Sequence, residues 1–254
     1  MTRNIQWYGW SRDLPDHRDL SYTPSLKNKL LSPSSVDLRP YCPPVYDQGE
    51  LGSCTANAIG ALDEFVQMKE QLAHVFQPSR LFIYYNERAM EGTVSQDSGA
   101  QIRDGMKSIG QQGVCSEVIW PYDLNKFADK PSASCYTEGK KHPAVQYMRV
   151  TQTLTQMRAC LAAGYPFVFG FTVYESFESD RVAQTGVVPM PGRSEQVLGG
   201  HAVMAVGYSK SKKMVLCRNS WGTDWGMEGY FWMPNAYINN SQLASDFWTL
   251  RVVK

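Results

Sequence analysis

The sequence lacks several features that define common classes of protein. Its 254 residues contain no apolar run long enough to cross a bilayer, and the stretch up to Leu20 has no apolar signal core. The 25 basic and 24 acidic side chains nearly cancel and form no basic stripe. We therefore expect neither a membrane nor a nucleic acid as a partner. We expect such a chain to stay in the cytoplasm, to leave it by a non-standard route, or to have lost an earlier signal.

Metal-binding patterns are also missing. None of the six cysteines forms a C-x-x-C pair, and the chain has only four histidines, so neither a metal nor an organic cofactor is expected. If one thiol is a free nucleophile, the other five cannot all pair with each other. Cys115 and Cys135 could bridge a loop, but two buried reduced thiols fit the sequence at least as well. The cysteines are Cys42, Cys54, Cys115, Cys135, Cys160 and Cys217.

The sequence does contain enough apolar material for a substantial core, since 43% of its residues are hydrophobic and 12% are aromatic. Residues 1–35 read as an extension rich in charge, proline and serine, and the body occupies 36–254. Helical patterns lie mainly within 50–125, and β-branched and aromatic runs lie mainly within 126–254. This order predicts an α+β fold with two lobes and a cleft between them.

Several elements have recognisable boundaries. The apolar spacing after Cys54 predicts an amphipathic helix. A second helix should begin near Pro78 or Ser79, and a third should end before Gly113. A fourth opens at Thr153 with capping-box spacing. Five strands are expected in "YPFVFGFTVY", "HAVMAVGYS", "KMVLCRNSW", "GYFWMP" and "DFWTLRVV".

Cys54 stands at the start of the first predicted helix, behind the glycine-rich turn "GELGS". A thiol is nucleophilic only as thiolate, and both a helix N-terminus and a nearby imidazolium lower the pKa of a cysteine. Gly52 permits the tight turn, and Thr55 leaves the first helical turn uncrowded. A lone cysteine in a helix is more often a small buried residue. The surrounding pattern nevertheless predicts Cys54 as a nucleophile that needs a histidine.

His201 is the best candidate for that histidine, because it follows two glycines and opens a strand that looks buried. Asn219 lies eighteen residues later, at the end of the next strand, where its amide oxygen could fix the imidazole tautomer. A core histidine and an ordinary turn asparagine are the alternatives. Gln48 lies six residues before the cysteine, and its side-chain amide could join the Cys54 N–H in stabilising an oxyanion. A solvated loop amide is the alternative there.

Four segments in this order resemble the papain-like cysteine peptidases: "SVDLR", "DQGELGSC", "GGHAV" and "NSWGTDWGMEGY". The resemblance covers roughly Ser35 to Lys254. It implies a helical left lobe and a β-barrel-like right lobe with the active site between them, and peptide or protein substrates. It also implies that Cys54 is the nucleophile and His201 its acid–base partner. The pattern is closer to divergent bacterial branches than to lysosomal ones.

Further roles follow from the same resemblance. Asn219 would orient the histidine, Gln48 would complete the oxyanion hole, and Trp221 would shield the histidine–asparagine hydrogen bond from water. The substrate-binding residues would be Gly99, Gly200, Trp221 and Asp246. Gly99 would offer backbone hydrogen bonds, and Asp246 would be a candidate floor of the second binding subsite, where an acidic group would admit arginine. An inward structural aspartate is an equal alternative.

The sequence also departs from the family pattern. Leu51 replaces the usual cysteine, so the family disulfide at that position cannot form, and Thr55 replaces the usual tryptophan. The 35-residue extension is too short for the usual helical pro-domain. We expect instead a short pro-segment that lies along the cleft or the lobe surface, with "DLPDHRDL" as its main contact, so that the protein is a zymogen.

The leading functional hypothesis is a monomeric cysteine endopeptidase that is inhibited by its own N-terminal segment. One alternative is a catalytically idle module of the same fold that only binds. Another is a related acyl-transfer enzyme, such as a transglutaminase or an amidase, which shares the logic of the catalytic residues.

Overall fold

The computed structural model describes residues 8–30, 32–142 and 145–252. The first seven residues and residue 31 of the expected extension lie outside this part of the chain, as do residues 143, 144, 253 and 254. The helices are α1 (Leu26–Leu30), α2 (Cys54–Lys69), α3 (Arg80–Glu91), α4 (Ile102–Gln112), α5 (Ala133–Gly139), α6 (Leu154–Ala162), α7 (Asp180–Thr185) and α8 (Asn235–Ile238). The strands are β1 (Trp10–Ser11), β2 (Ser35–Asp37), β3 (Ala100–Gln101), β4 (Val145–Arg149), β5 (Phe167–Tyr174), β6 (Val197–Ser209), β7 (Met214–Arg218), β8 (Tyr230–Pro234) and β9 (Ala244–Val252).

Helix α2 runs from Cys54 through the middle of the molecule. It contacts helices α3 and α4 and, from the sheet, strands β5, β6 and β9. Of its 16 residues, 13 are buried. The expectation of an amphipathic helix was therefore too narrow, because packing from helices and sheet leaves solvent access mainly at Met68 and Lys69.

The predicted helix boundaries rest on capping interactions that the structure contains. The Ser79 hydroxyl accepts the backbone N–H of Phe82 at 3.1 Å and so begins α3. Helix α4 ends at Gln112, directly before Gly113. The Thr153 hydroxyl accepts the Gln156 N–H at 3.2 Å, which fixes the start of α6. Local capping chemistry therefore explains why these ends could be read from the sequence.

The main sheet carries the second half of the chain and all five predicted strands. Its strand order is β4-β9-β5-β6-β7-β8, with β2 also paired to β6, and every pairing is antiparallel. The α+β fold is thus confirmed. Within the described residues, β4 and β8 are the ends of an open sheet and do not pair with each other. The strands of the right lobe therefore form an open antiparallel sheet and not a closed barrel.

The N-terminal segment, defined here as residues 8–24, lies against the folded body. Strand β1 pairs in parallel with β3, in the helical half of the chain. Further on, the Tyr22 N–H donates to the Arg149 carbonyl at 2.8 Å, and the Arg149 N–H donates to the Leu20 carbonyl at 2.7 Å. Strand β2 then enters the main sheet beside β6. The segment is thus bonded to elements from both halves of the chain.

All six cysteines lie in the described part of the chain and all are free thiols. Cys115 and Cys135 lie side by side, with a hydrogen bond between their thiols, so the loop that they could have bridged remains open. Within residues 8–30, 32–142 and 145–252, no helix is long and apolar enough to cross a membrane. The same ranges contain no cluster of histidine, cysteine, aspartate and glutamate side chains that could hold a metal ion.

Candidate active site

The turn that precedes Cys54 is fixed by buried hydrogen bonds. The Gly52 N–H donates to the Asp97 carboxylate at 3.0 Å. The Ser53 hydroxyl lies 2.5 Å from the Tyr122 hydroxyl, and the Asn57 side-chain amide donates to Ser53 Oγ at 3.0 Å. Helix α2 begins with Cys54 itself. The thiol therefore lies at the positive end of the helix, where unpaired backbone N–H groups favour a negative charge.

Strand β6 brings His201 beside this thiol. The backbone N–H of Ala202, the next residue, donates to Cys54 Sγ at 3.4 Å. The His201 Nε2 lies 2.8 Å from Asn219 Oδ1, which also accepts the Ser220 N–H at 2.9 Å. Because that oxygen is an acceptor, Nε2 carries the proton of this hydrogen bond, and Nδ1 is the ring nitrogen that this bond leaves available. The structure thus brings together the three residues that the sequence singled out.

The imidazole is surrounded by aromatic rings. The Trp221 ring stacks on the His201 ring with centroids 5.0 Å apart and planes inclined by 29°. Phe171 and Phe177 approach the same imidazole at 5.7 and 6.4 Å. His201 and Asn219 are almost wholly buried. Water is therefore kept from the hydrogen bond between them.

Gln48 lies between the start of α2 and the loop after β7. Its Nε2 donates to the Leu51 carbonyl at 2.9 Å, and its Oε1 accepts the Ser220 hydroxyl at 2.6 Å. Its backbone N–H also donates to the Ser220 carbonyl at 2.9 Å. These contacts define which end of the amide is nitrogen and commit one of its two N–H groups, so a single side-chain N–H remains for an oxyanion.

The cleft beside Cys54 is occupied by the N-terminal segment. Gly9 lies directly on the turn before the thiol, because a Cβ added to it would come within 1.5 Å of the Gly52 carbonyl oxygen. The Gly9 backbone N–H forms a hydrogen bond with the Cys54 sulfur. The Tyr8 ring approaches the His201 ring edge-on at 6.0 Å. The expected contact stretch, "DLPDHRDL", therefore begins only after the part of the segment that covers the thiol.

Glycines line the groove that receives the segment. A Cβ added to Gly99 would lie 2.2 Å from the Gly9 oxygen, and one added to Gly200 would lie 2.4 Å from the Trp10 oxygen. A Cβ added to Gly170 would lie 1.8 Å from the Trp10 ring. Gly99 and Gly200 were predicted as substrate-binding residues. Gly170 was missed, although a glycine inside the strand "FVFGFTVY" is the usual sign of a close approach.

The hydrogen bonds at Gly99 differ in detail from the expectation. Its own N–H donates to the Tyr84 hydroxyl at 3.2 Å. The neighbouring Ala100 N–H donates to the Gly9 carbonyl at 2.8 Å. In this structure the backbone bond to the cleft occupant is therefore made one residue after the position that the sequence suggested.

Asp246 contacts the N-terminal segment as well. It is buried, has a positive φ of 61°, and accepts the Asp13 N–H at 2.9 Å. Its other oxygen lies 3.5 Å from an Arg149 guanidinium nitrogen. The carboxylate that was expected to admit an arginine therefore already faces one from the same chain.

Burial determines the charge of the thiol in this closed arrangement. Cys54 is fully buried, and the loss of solvation raises its pKa from 9.0 to about 12. Hydrogen bonds from the N–H groups of Ala202, Gly9 and Thr55 lower the pKa by less. Burial by the segment therefore favours the neutral thiol over the thiolate, because neutral sulfur costs less to bury than an anion.

A thiol at a helix start, an imidazole on the facing strand and an amide behind the imidazole form the arrangement of thiol-dependent hydrolases. Residues 32–249 match the family described as papain family cysteine protease. The chain therefore belongs to the papain family of cysteine proteases. It is a cysteine peptidase, and its substrates are peptides or proteins.

Individual relatives agree with this assignment. An uncharacterised peptidase C1-like protein from Acanthamoeba polyphaga mimivirus is 42% identical over 97% of this chain and 87% of its own length. Procathepsin L of Felis catus is 30% identical over 84% of this chain, which spans 64% of that relative. The crystal structure of xylellain, a cysteine protease from Xylella fastidiosa, is similar at a TM-score of 0.91 and 43% identity. It covers 100% of this chain and 98% of its own.

Proposed function

We propose that Cys54 is the nucleophile of this peptidase, His201 its acid–base partner, and Asn219 the residue that orients the imidazole. The observation that carries the proposal is the bonded path from Cys54 Sγ through the Ala202 N–H to the strand that holds His201, which in turn contacts Asn219 at 2.8 Å. The proposed site needs a thiolate and a protonated imidazole, and this path supports a position of His201 next to the sulfur.

The reaction then follows from the positions of these groups. The thiolate attacks the substrate carbonyl carbon and forms a C–S bond, and the negative charge moves to the carbonyl oxygen. The Cys54 N–H and the remaining Gln48 amide N–H stabilise that oxyanion. The C–N bond breaks as His201 gives its proton to the leaving amine. Water, deprotonated by His201, then hydrolyses the thioester and restores the thiol.

The same proposal includes a latent form, in which the N-terminal segment blocks the cleft. Gly9 presents its N–H to the sulfur, whereas a substrate must present a carbonyl carbon. The segment is therefore held in a non-productive orientation and inhibits without being cut at that bond. The Trp10 ring, packed on Gly170, marks a pocket large enough for an indole. We propose that substrates with large aromatic side chains use this pocket once the segment has left.

Covalent labelling by an epoxide thiol-peptidase inhibitor tests the catalytic assignment. We expect the full chain to be labelled slowly at a single thiol and Cys54→Ala to lose both labelling and peptide hydrolysis. Cys42→Ala is the matched control, because Cys42 is the one thiol that is not fully buried. Its removal should leave labelling unchanged.

Two results would contradict the proposal. Persistent labelling of Cys54→Ala would place the nucleophile elsewhere, and the absence of both labelling and hydrolysis at every pH would indicate an idle binding module. Incorporation of added amines in place of peptide hydrolysis would favour the transglutaminase alternative.

A further inference from the structure

A buried carboxyl lies behind the candidate nucleophile, on the side away from the cleft. Glu87, on α3, has no exposed surface. Its Oε2 accepts the hydroxyl of Thr55 at 2.8 Å. Thr55 directly follows Cys54, and its backbone N–H is one of those that form hydrogen bonds with the sulfur. One side chain thus connects the first turn of α2 to the neighbouring helix.

Within the described part of the chain no cation forms an ion pair with this carboxyl, and the nearby charge of Arg88 lowers the pKa of Glu87 by less than burial raises it. Arg88, the adjacent basic residue, donates to backbone carbonyl oxygens instead. The oxygens are those of Tyr84, Val94, Gln96 and Phe127. Glu91 and Asp104 add negative charge nearby. Within the described residues, Glu87 Oε1 has no hydrogen-bond partner. Burial therefore raises the pKa of Glu87 well above its ordinary value of 4.5, which favours the neutral acid.

The neighbouring helix makes room for this acid. A Cβ added to Gly105 on α4 would lie 2.2 Å from Glu87 Oε1 and 2.4 Å from the Ile59 side chain. A glycine at this point of α4 is thus what allows a carboxyl group to reach Thr55. The arrangement involves three helices, and among the described residues the hydrogen bond of this carboxyl goes to Thr55, the residue beside the nucleophile.

We propose that Glu87 positions the nucleophile as an uncharged acid: its hydrogen bond fixes Thr55 and the first turn of α2, and its proton keeps a negative charge away from the thiolate. The proposal rests on the assignment of Cys54 as the nucleophile. The two effects act together, because a displaced Thr55 N–H would no longer stabilise the sulfur and an ionised Glu87 would repel it. Glu87 touches neither substrate nor sulfur and acts through Thr55.

The test compares neutral and non-bonding variants of this pair in the full chain, with Gly9→Ala in every variant so that the cleft is accessible. Glu87→Gln keeps the shape and the neutrality, so kcat should stay within about twofold and the pKa of the Cys54 thiol should not move. Thr55→Val removes only the hydroxyl, and we expect kcat to fall about tenfold with KM unchanged. Thr55→Ser should restore it. The thiol pKa is measured from the pH dependence of inactivation by iodoacetamide.

Asp63→Asn is the matched control, because Asp63 is a buried carboxyl on α2, the helix of Thr55, and accepts a hydrogen bond from Gln67 instead of Thr55. It should leave both kcat and the thiol pKa unchanged. Combining Thr55→Val with Glu87→Gln should cost no more than Thr55→Val alone, since the two substitutions break one interaction.

Three outcomes would overturn the inference. A thiol pKa lowered by about one unit in Glu87→Gln would show that the native carboxyl is charged. A normal kcat and a normal thiol pKa in Thr55→Val would show that the hydrogen bond between Thr55 and Glu87 has only a structural role. Failure of Thr55→Ser to restore kcat would show that the loss in Thr55→Val comes from altered folding and not from the missing hydroxyl. If the parent protein hydrolyses no peptide and its Cys54 is not labelled, the proposed function fails instead.

Discussion

The two halves of the N-terminal segment are held in different ways. Residues 8–11 lie over Cys54 and are held by shape, because backbone and rings fill spaces that only glycines leave open. Residues 13–19 are held by charge, with Asp13 and Asp19 bound to Arg149 and Arg103. Blocking of the thiol and anchoring of the segment therefore depend on different residues and different interactions. Blocking should respond to added volume, and anchoring should respond to pH.

The largest effect is expected from Gly9→Ala, which should displace residues 8–11 from Cys54. Its new methyl group would lie 1.5 Å from the Gly52 carbonyl oxygen, so the segment cannot stay in place. We expect labelling of Cys54 by the epoxide inhibitor to accelerate about a hundredfold, because the thiol regains solvation and its pKa falls. Gly60→Ala is the control, since its Cβ would meet only ordinary contacts of 3.6 Å or more. An unchanged rate in Gly9→Ala would mean that the segment does not cover the thiol in solution.

The next effect concerns the pocket that holds the Trp10 ring. Gly170→Ala would place a Cβ 1.8 Å from that ring. In the Gly9→Ala background we expect kcat/KM for a peptide with tryptophan at this subsite to fall about tenfold relative to one with valine. Peptides that differ only at this position measure the ratio, and Gly60→Ala again serves as the control. Equal losses for both peptides would contradict a specificity role for Gly170.

The smallest effect is expected from the charge-held half. Burial, followed by the nearby charge of Asp246, raises the pKa of Asp13 from 3.8 to about 6. The Arg103 N–H, the Trp248 indole and Arg149 act in the opposite direction. The docked segment therefore takes up a proton, and this stabilisation is complete below the ordinary pKa and is lost as pH rises through about 6.

Latency should accordingly be stronger in acid. We expect the labelling rate of the full chain, divided by that of a chain starting at Ser34, to rise about fivefold between pH 5 and 7. Asp13→Asn should flatten this ratio, and Asp16→Asn, at an exposed ion pair with Arg18, should not. A ratio that falls with pH would refute the sign. Equal rates for the full and shortened chains would instead refute the latency itself.

Much of the fold could be predicted because its signals are local. Caps at Ser79 and Thr153 mark helix starts through bonds within one turn, and the five strands have β-branched or aromatic composition. Cys54, His201 and Asn219 could be found because their spacing matches a known pattern, although they are far apart in sequence. The open sheet and the all-round burial of α2 could not be found, since both depend on how distant elements pack.

Other residues gave weaker signals. Gly9 and Trp10 were assigned only to an extension, and their role could not be predicted. Their close contacts with Gly52 and Gly170 exist only in the folded chain. Glu87 drew no prediction, since nothing in "YYNERAM" shows that its helix is covered on that side. Asp246 was noticed, but its bond to the Asp13 N–H was hidden by 233 positions of separation.

The covalent link between the segment and the body has one more consequence. Because β1 and β2 belong to one chain, dilution cannot lower the local concentration of the segment near Cys54. A substrate must therefore compete with a tethered occupant whose effective concentration lies in the millimolar range for short connections, ~1 mM or more. An occupant that is displaced without being cut can also return, so the protein can become inactive again when its substrate is exhausted.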